Sequence, residues 1–176
     1  MLRGVNLGAH RRISMEPLRA MFESLGLKEV RTYVQSGNIV FRTAAKDTRK
    51  LATRIAKQFE SVFGFHSDII LRLAPEIREL IARNPFRGRS IDPAKLLVWF
   101  LEKDPPPDAQ KKIQALPIAP EEIQFAPREL YIHFPNGQGR SKLPWPQLER
   151  ALGCSGTGRN WNTVLKLAEM AESLPE

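Results

Sequence analysis

The stretch Val30 to Phe41, V-R-T-Y-V-Q-S-G-N-I-V-F, constrains the fold more than any other, because two β-rich runs meet there at a Ser36-Gly37-Asn38 turn. Val30, Thr32 and Val34 alternate with Arg31, Tyr33 and Gln35, while Gly37 and Asn38 tolerate the positive φ that tight hairpin turns need. A hairpin exposes one apolar face, and the flanking sequence supplies two helices to cover it. Before it, Leu2 to Leu7 reads as a first strand, Gly8 to Ile13 as a basic loop, and Ser14 as the N-cap of a helix with Pro17 in its first turn. Met15, Leu18, Met21, Phe22 and Leu25 share one face of that helix, and Gly26 stops it. After the hairpin, Asp47 or Thr48 caps a second helix, with Leu51, Ile55, Phe59, Val62 and Phe63 inward, Arg49, Lys50, Arg54 and Lys57 outward, and Gly64 as its stop. Ser67 to Leu73 then reads as a strand. The order β-α-β-β-α-β predicts a ferredoxin-like plait over residues 1–73, with the first strand beside the second arm of the hairpin.

Residues 74–176 repeat this order in part, without sequence repetition. A helix from Ala74 carries Ile77, Leu80 and Ile81 and ends before Asn84-Pro85, since a residue preceding proline is pushed out of the helical region. Leu96 to Leu101, L-L-V-W-F-L, is the most apolar run in the chain and predicts a strand buried on both faces at the centre of this half. A short helix near Asp108 to Leu116 follows, then a hairpin of Ile123 to Phe125 and Leu130 to Phe134. A helix from Trp145 to Leu152 closes at Gly153. The last helix is expected from Thr163 to Ser173, with Val164, Leu165, Leu167, Ala168 and Ala171 buried. The fold class is therefore α+β, two plait-like halves with antiparallel sheets and helices packed on one face, the second half bearing an extra C-terminal helix.

Three spaced motifs carry a resemblance: R-G-V-N-L-G at Arg3 to Gly8, Y-V-Q-S-G-N-I-V-F at Tyr33 to Phe41, and T-G-R-N-W-N-T at Thr157 to Thr163. Together they resemble a bacterial family catalogued as domain of unknown function 1697, over essentially the whole chain and in the same order. The resemblance implies two α/β-plait-like halves and no assigned activity. Within it, a few more apolar residues usually precede R-G-V-N, so the first strand is expected to begin upstream of Met1.

The formal charge is +8, and residues 1 to 73 hold 13 Lys/Arg against 6 Asp/Glu, or +7 of it. Such a field attracts nucleic acid, phosphorylated metabolites or an anionic surface, although charged helix faces on an ordinary globular protein produce the same count. The single cysteine, Cys154, excludes an internal disulfide and a multi-cysteine metal site, which suits a cytoplasmic protein. No signal-peptide core and no apolar window of ~20 residues is present, so neither export nor a membrane span is expected.

The leading candidate site is the polar run C-S-G-T-G-R-N-W-N-T before the last helix. Read as a loop, Gly156 and Gly158 permit close backbone approach, the helix start offers free N–H groups, and Thr157, Arg159, Asn160, Asn162 and Thr163 add donors for a phosphate or carboxylate. The same residues serve equally as a clasp, with Asn162 or Thr163 capping the helix, Trp161 stapling it and Arg159 paired to a carboxylate. A second candidate is the loop G-Q-G-R-S-K, whose Arg140, Ser141 and Lys142 present positive charge without the P-loop spacing. A third comprises Arg3, Asn6, Gln35, Ser36 and Asn38 at strand ends; Asn38 reads best as a turn residue. His10, His66 and His133 are dispersed, and no catalytic or metal-binding motif is present. The expectation is a binding module for a small anionic ligand. Nucleic-acid binding through Arg11, Arg12, Arg42, Lys46, Arg49 and Lys50 is the alternative, followed by an enzyme of unspecified reaction. Cofactor and oligomeric state stay open.

Overall fold

The computed structural model describes residues 1–6, 12–34 and 37–175. The fold is α+β, with two antiparallel sheets and six α-helices among the described residues. The chain divides into two compact units, Met1–Ala74 together with Leu167–Glu176, and Pro75–Lys166.

The first unit is built on the hairpin. Strands β1 (Lys28–Tyr33) and β2 (Asn38–Arg42) pair antiparallel, Tyr33 opposite Asn38, with a bulge between Lys28 and Arg31. Among the described residues of the turn, Val34 (φ 48°) and Gly37 (φ 70°) are left-handed, whereas Asn38, expected to share that conformation, opens β2; Val34 leaves the strand and lies exposed. Gly37 has a second constraint, since a Cβ there would meet Val5 Cγ2 at 2.5 Å and Leu2 Cβ at 2.9 Å. That closeness lets the N-terminal segment run beside the hairpin. Leu2 N donates to Gly37 O at 2.9 Å, Arg3 N to Asp68 O at 3.0 Å, and Ile70 N to Met1 O at 2.9 Å. The segment thus takes the central place foreseen for the first strand, but among the described residues the expected strands from Leu2 and from Ser67 are reduced to a single bridge, Leu2↔Ile69. The reason is local: Gly4 (φ 69°) and Asn6 (φ 57°) turn the chain left-handed just after Arg3.

Helices α1 (Met15–Ser24) and α2 (Thr48–Phe63) cover the hairpin, burying Leu18, Met21 and Phe22 from one and Leu51, Ile55 and Phe59 from the other. Phe41 of β2 joins this core against Phe22, ring centroids 5.5 Å apart. Ser14 holds the N-cap backbone position of α1, but its hydroxyl makes no capping bond. Asp47 does cap α2, its Oδ1 accepting from Arg49 N at 3.1 Å and Lys50 N at 3.0 Å, a contact of ~1 kcal/mol. Val62, expected inward, is exposed.

In the second unit, helix α3 (Ala74–Ala82) starts at the unit boundary and is followed by the four-stranded sheet β4-β5-β3-β6, antiparallel throughout. Its centre is β3 (Leu96–Leu101), as the apolar run predicts, flanked by β5 (Glu129–His133) and β6 (Gly156–Asn160); β4 (Glu122–Ala126) pairs with β5. Leu97 and Leu101 of β3 and Leu130 and Ile132 of β5 pack with α4 (Ala109–Gln114) and α5 (Trp145–Leu152) through Ile113, Leu148 and Leu152. Trp99 stacks on Trp145, centroids 4.7 Å apart. Tyr131, of opposite alternation on β5, donates its hydroxyl to Leu80 O of α3 at 2.7 Å. Helix α6 (Trp161–Glu172) begins two residues earlier than expected and buries Val164 and Leu167, while Leu165 is exposed.

Candidate functional site

The polar run before α6 is not a loop. Residues Gly156–Asn160 form β6, an edge strand paired along its length with β3 from Gly156↔Leu101 to Asn160↔Leu97. Its glycines answer to bulky neighbours. A Cβ on Gly156 would lie 2.1 Å from Trp99 Nε1, and one on Gly158 would lie 3.0 Å from Leu97 Cδ2 and 3.1 Å from Trp99 Cε3. The backbone approach permitted by these glycines is therefore taken by the indole of Trp99 and the side chain of Leu97.

Thr157, Arg159 and Asn160 of the run bond locally. Thr157 and Arg159 share the opposite alternation and are buried; the Arg159 guanidinium donates to Thr157 Oγ1 at 2.8 Å and to Gly158 O at 2.6 Å. Burial pushes the Arg159 guanidinium down to about 10, which still leaves it charged at neutral pH. Asn160, not Asn162 or Thr163, caps α6: its Oδ1 accepts from Thr163 N at 2.9 Å. The strand ends one residue before the helix begins, so the cap falls on its last residue. Asn162 is exposed on the first turn.

The other candidates are placed as follows. Arg140 ends a short 3₁₀ turn, Gln138–Arg140, and with Lys142 is exposed, while Ser141 Oγ accepts from Leu143 N at 3.1 Å. Arg3 pairs with Asp68 at 3.5 Å. Asn6 is held by Ile13, accepting from its N at 2.7 Å and donating to its O at 3.2 Å. Asn38 is buried and donates to Tyr33 O at 3.4 Å, the turn role read from sequence. Gln35, Ser36, Arg11 and His10 lie outside the described residues.

Two further clusters stand out: the first escaped sequence reasoning, whereas the second includes Arg49 and Lys50, named above for nucleic-acid binding. In the second unit Glu122 takes Arg89 in a two-point pair, both bonds 2.8 Å, and its Oε1 also meets His133 Nδ1 at 2.8 Å. The Arg89 guanidinium and then His133 hold the Glu122 carboxyl down at about 2. Glu122 and His133 are direct cross-strand partners, visible only once the register of β4 and β5 is known. Cys154 is unlike a nucleophile: burial pushes its thiol up, and Sγ faces Lys103 O at 3.6 Å.

The second cluster lies in the first unit. A groove of about 650 Å³ runs along the outer side of α2 beside the end of α1, lined by Leu25, Arg49, Lys50, Thr53, Arg54, Lys57 and Gln58. Four of these seven side chains are cationic and none is acidic. Arg54 is tethered to the carbonyl of Leu25. Lys50 makes only a 3.9 Å approach to Asp47, and among the described residues neither Arg49 nor Lys57 has an ion-pair partner. Arg49 and Lys50 also sit in the first turn of α2, where the positive end of the helix dipole disfavours cations by about 0.3–1 kcal/mol. Cations in a first turn without acidic companions are a sequence signal for this groove. Its proximity to Leu25 is not, because that depends on how α1 and α2 pack.

The fold and its two α+β units place the molecule among small mixed helix-and-sheet proteins, and among the described residues no helix is long and apolar enough to cross a membrane. The chain belongs to the family described as protein of unknown function DUF1697, whose model matches residues 1–131. Among solved structures it is similar to the conserved bacterial protein SP0830 from Streptococcus pneumoniae, at TM-score 0.70 and 20% identity, over 97% of this chain and 96% of that one. That likeness establishes the shared fold. No curated protein matches the chain.

Proposed function

We propose that this is a cytoplasmic binding module for a phosphate-bearing anion, and that the anion is held in the groove on α2. The observation that carries this reading is the groove itself: four cations converge on one concavity with no acidic residue in its lining. The first-turn position of Arg49 adds to it, since a cost to the helix that yields no ion-pair partner among the described residues points to an external one. In β6, by contrast, the Arg159 guanidinium donates within its own strand and Asn160 Oδ1 accepts from Thr163 N as the cap of α6.

Thermal denaturation with inorganic tripolyphosphate tests the reading. A ligand at 100 times its dissociation constant stabilises by ~2.7 kcal/mol. The unmodified protein is expected to melt higher with tripolyphosphate, and the Lys50→Ala/Lys57→Ala variant is expected to lose that rise. No rise for the unmodified protein, or an equal rise for the variant, rejects the groove as an anion site.

A further inference from the structure

We infer that the anion is the backbone of a nucleic acid duplex, laid along α2 and bound with little regard to sequence. This deepens the anion-binding reading and rests on it. The argument begins with length. Arg49 and Lys57 are eight residues apart on one helix, hence ~12 Å along its axis at 1.5 Å per residue. The four cations form a row along the helix, an arrangement that matches a series of phosphates better than one. A duplex strand repeats its phosphates at a regular spacing and brings more than one of them over that span.

Exposure points the same way. Arg49, Lys50, Thr53, Arg54 and Lys57 are all exposed, whereas pockets for small ligands enclose most of the ligand. Long cations on an open surface suit a polyanion that stays half solvated. Thr53 and Gln58 add neutral hydrogen-bonding groups between the cations, of the kind that contact phosphate and sugar.

The lining also separates duplex from single strand. Single strands are usually held by aromatic rings on which bases stack, and no aromatic residue lines the groove. Phe41, the ring on the hairpin strand that a plait would offer to RNA, is packed against Phe22 in the core. What remains is charge on a helix, which recognises the phosphate backbone and not the bases.

Fluorescence anisotropy with a labelled 20-base-pair DNA duplex tests the inference over a salt series. Four cation contacts give a slope near −3.6 in log K against log salt, a loss of roughly 150-fold in affinity between 50 and 200 mM salt. The Arg49→Ala/Lys57→Ala variant is expected to show a slope near −1.8 and a loss of only about 12-fold over the same interval. The inference is overturned if the duplex does not bind at 50 mM salt, if the slope is unchanged in the variant, or if only heparin or vesicles of anionic phospholipid bind. Tripolyphosphate separates the two levels of the argument. If it raises the melting temperature through Lys50 and Lys57 while the duplex fails to bind, the anion site stands and the nucleic-acid assignment falls; if neither binds, both fall.

Discussion

The strand β6 and the outer side of α2 look alike in composition and behave oppositely. Both are polar, both carry arginine, and both lie next to a helix start. In β6 the polar groups are taken up by the chain itself: Arg159 bonds Thr157 and Gly158, Asn160 caps α6, and the two glycines admit Trp99 and Leu97. On α2 the cations turn outward into a groove, and Arg49 and Lys57 have no ion-pair partner among the described residues. The difference teaches that a glycine-rich polar run is not by itself a ligand cradle. Its meaning depends on what fills the space that the glycines leave.

The largest effect is expected at Gly156. Adding a methyl group in Gly156→Ala places carbon 2.1 Å from Trp99 Nε1, so the indole or the edge strand must shift. Overpacking of this kind costs about 1–3 kcal/mol, read as a lower denaturant midpoint, while tripolyphosphate binding is expected to persist. A normal midpoint in Gly156→Ala would show that Trp99 does not fill the space beside β6. Asn160→Ala comes next, removing the bond to Thr163 N for about 1 kcal/mol. Loss of anion binding in Asn160→Ala, with the midpoint unchanged, would reverse the comparison.

Much of the fold was legible because it rests on period and apolarity. Leu96–Leu101 is the central strand because six apolar residues in a row need cover on both faces, and Gly64 and Gly153 end helices at φ 77° and 60°. Asn38 as a turn residue and Asp47 as a cap were readable from chemistry that acts within a few residues. Gly156–Asn160 was not readable as a strand, since glycine, threonine and asparagine are not an apolar alternation. Its β state comes from pairing with β3, a tertiary effect that overrides local preference. The Arg89–Glu122–His133 cluster and the contact of Leu25 with the α2 row were hidden for the same reason, because partners far apart in sequence meet only through the fold.

Acid sharpens the contrast further, with a smaller effect. Glu122 is held near a pKa of about 2 by Arg89 and His133, below the ordinary carboxylate value of 4.5. A depressed carboxylate contributes stability that is fully present above the unfolded value and is lost as pH falls from about 4.5 through about 2. The pair is partly solvated, so its contribution is at most about 1 kcal/mol. Urea midpoints measured down this range are expected to fall less in Glu122→Gln than in the unmodified protein. Equal falls would mean that Arg89 does not hold the carboxylate.

The smallest change in stability is expected on α2, together with the largest change in binding. Exposed substitutions away from caps and cores stay within about 0.5 kcal/mol. The most direct test is therefore isothermal titration of tripolyphosphate into two variants side by side, Arg49→Ala/Lys57→Ala and Arg159→Ala, with the denaturant midpoint of each. The account predicts that the first keeps its midpoint and loses at least about 10-fold in affinity, a difference of ~1.4 kcal/mol, whereas the second has a lowered midpoint and normal affinity. Normal affinity in the α2 variant and lost affinity in a stably folded Arg159→Ala would contradict it and place the anion at the start of α6.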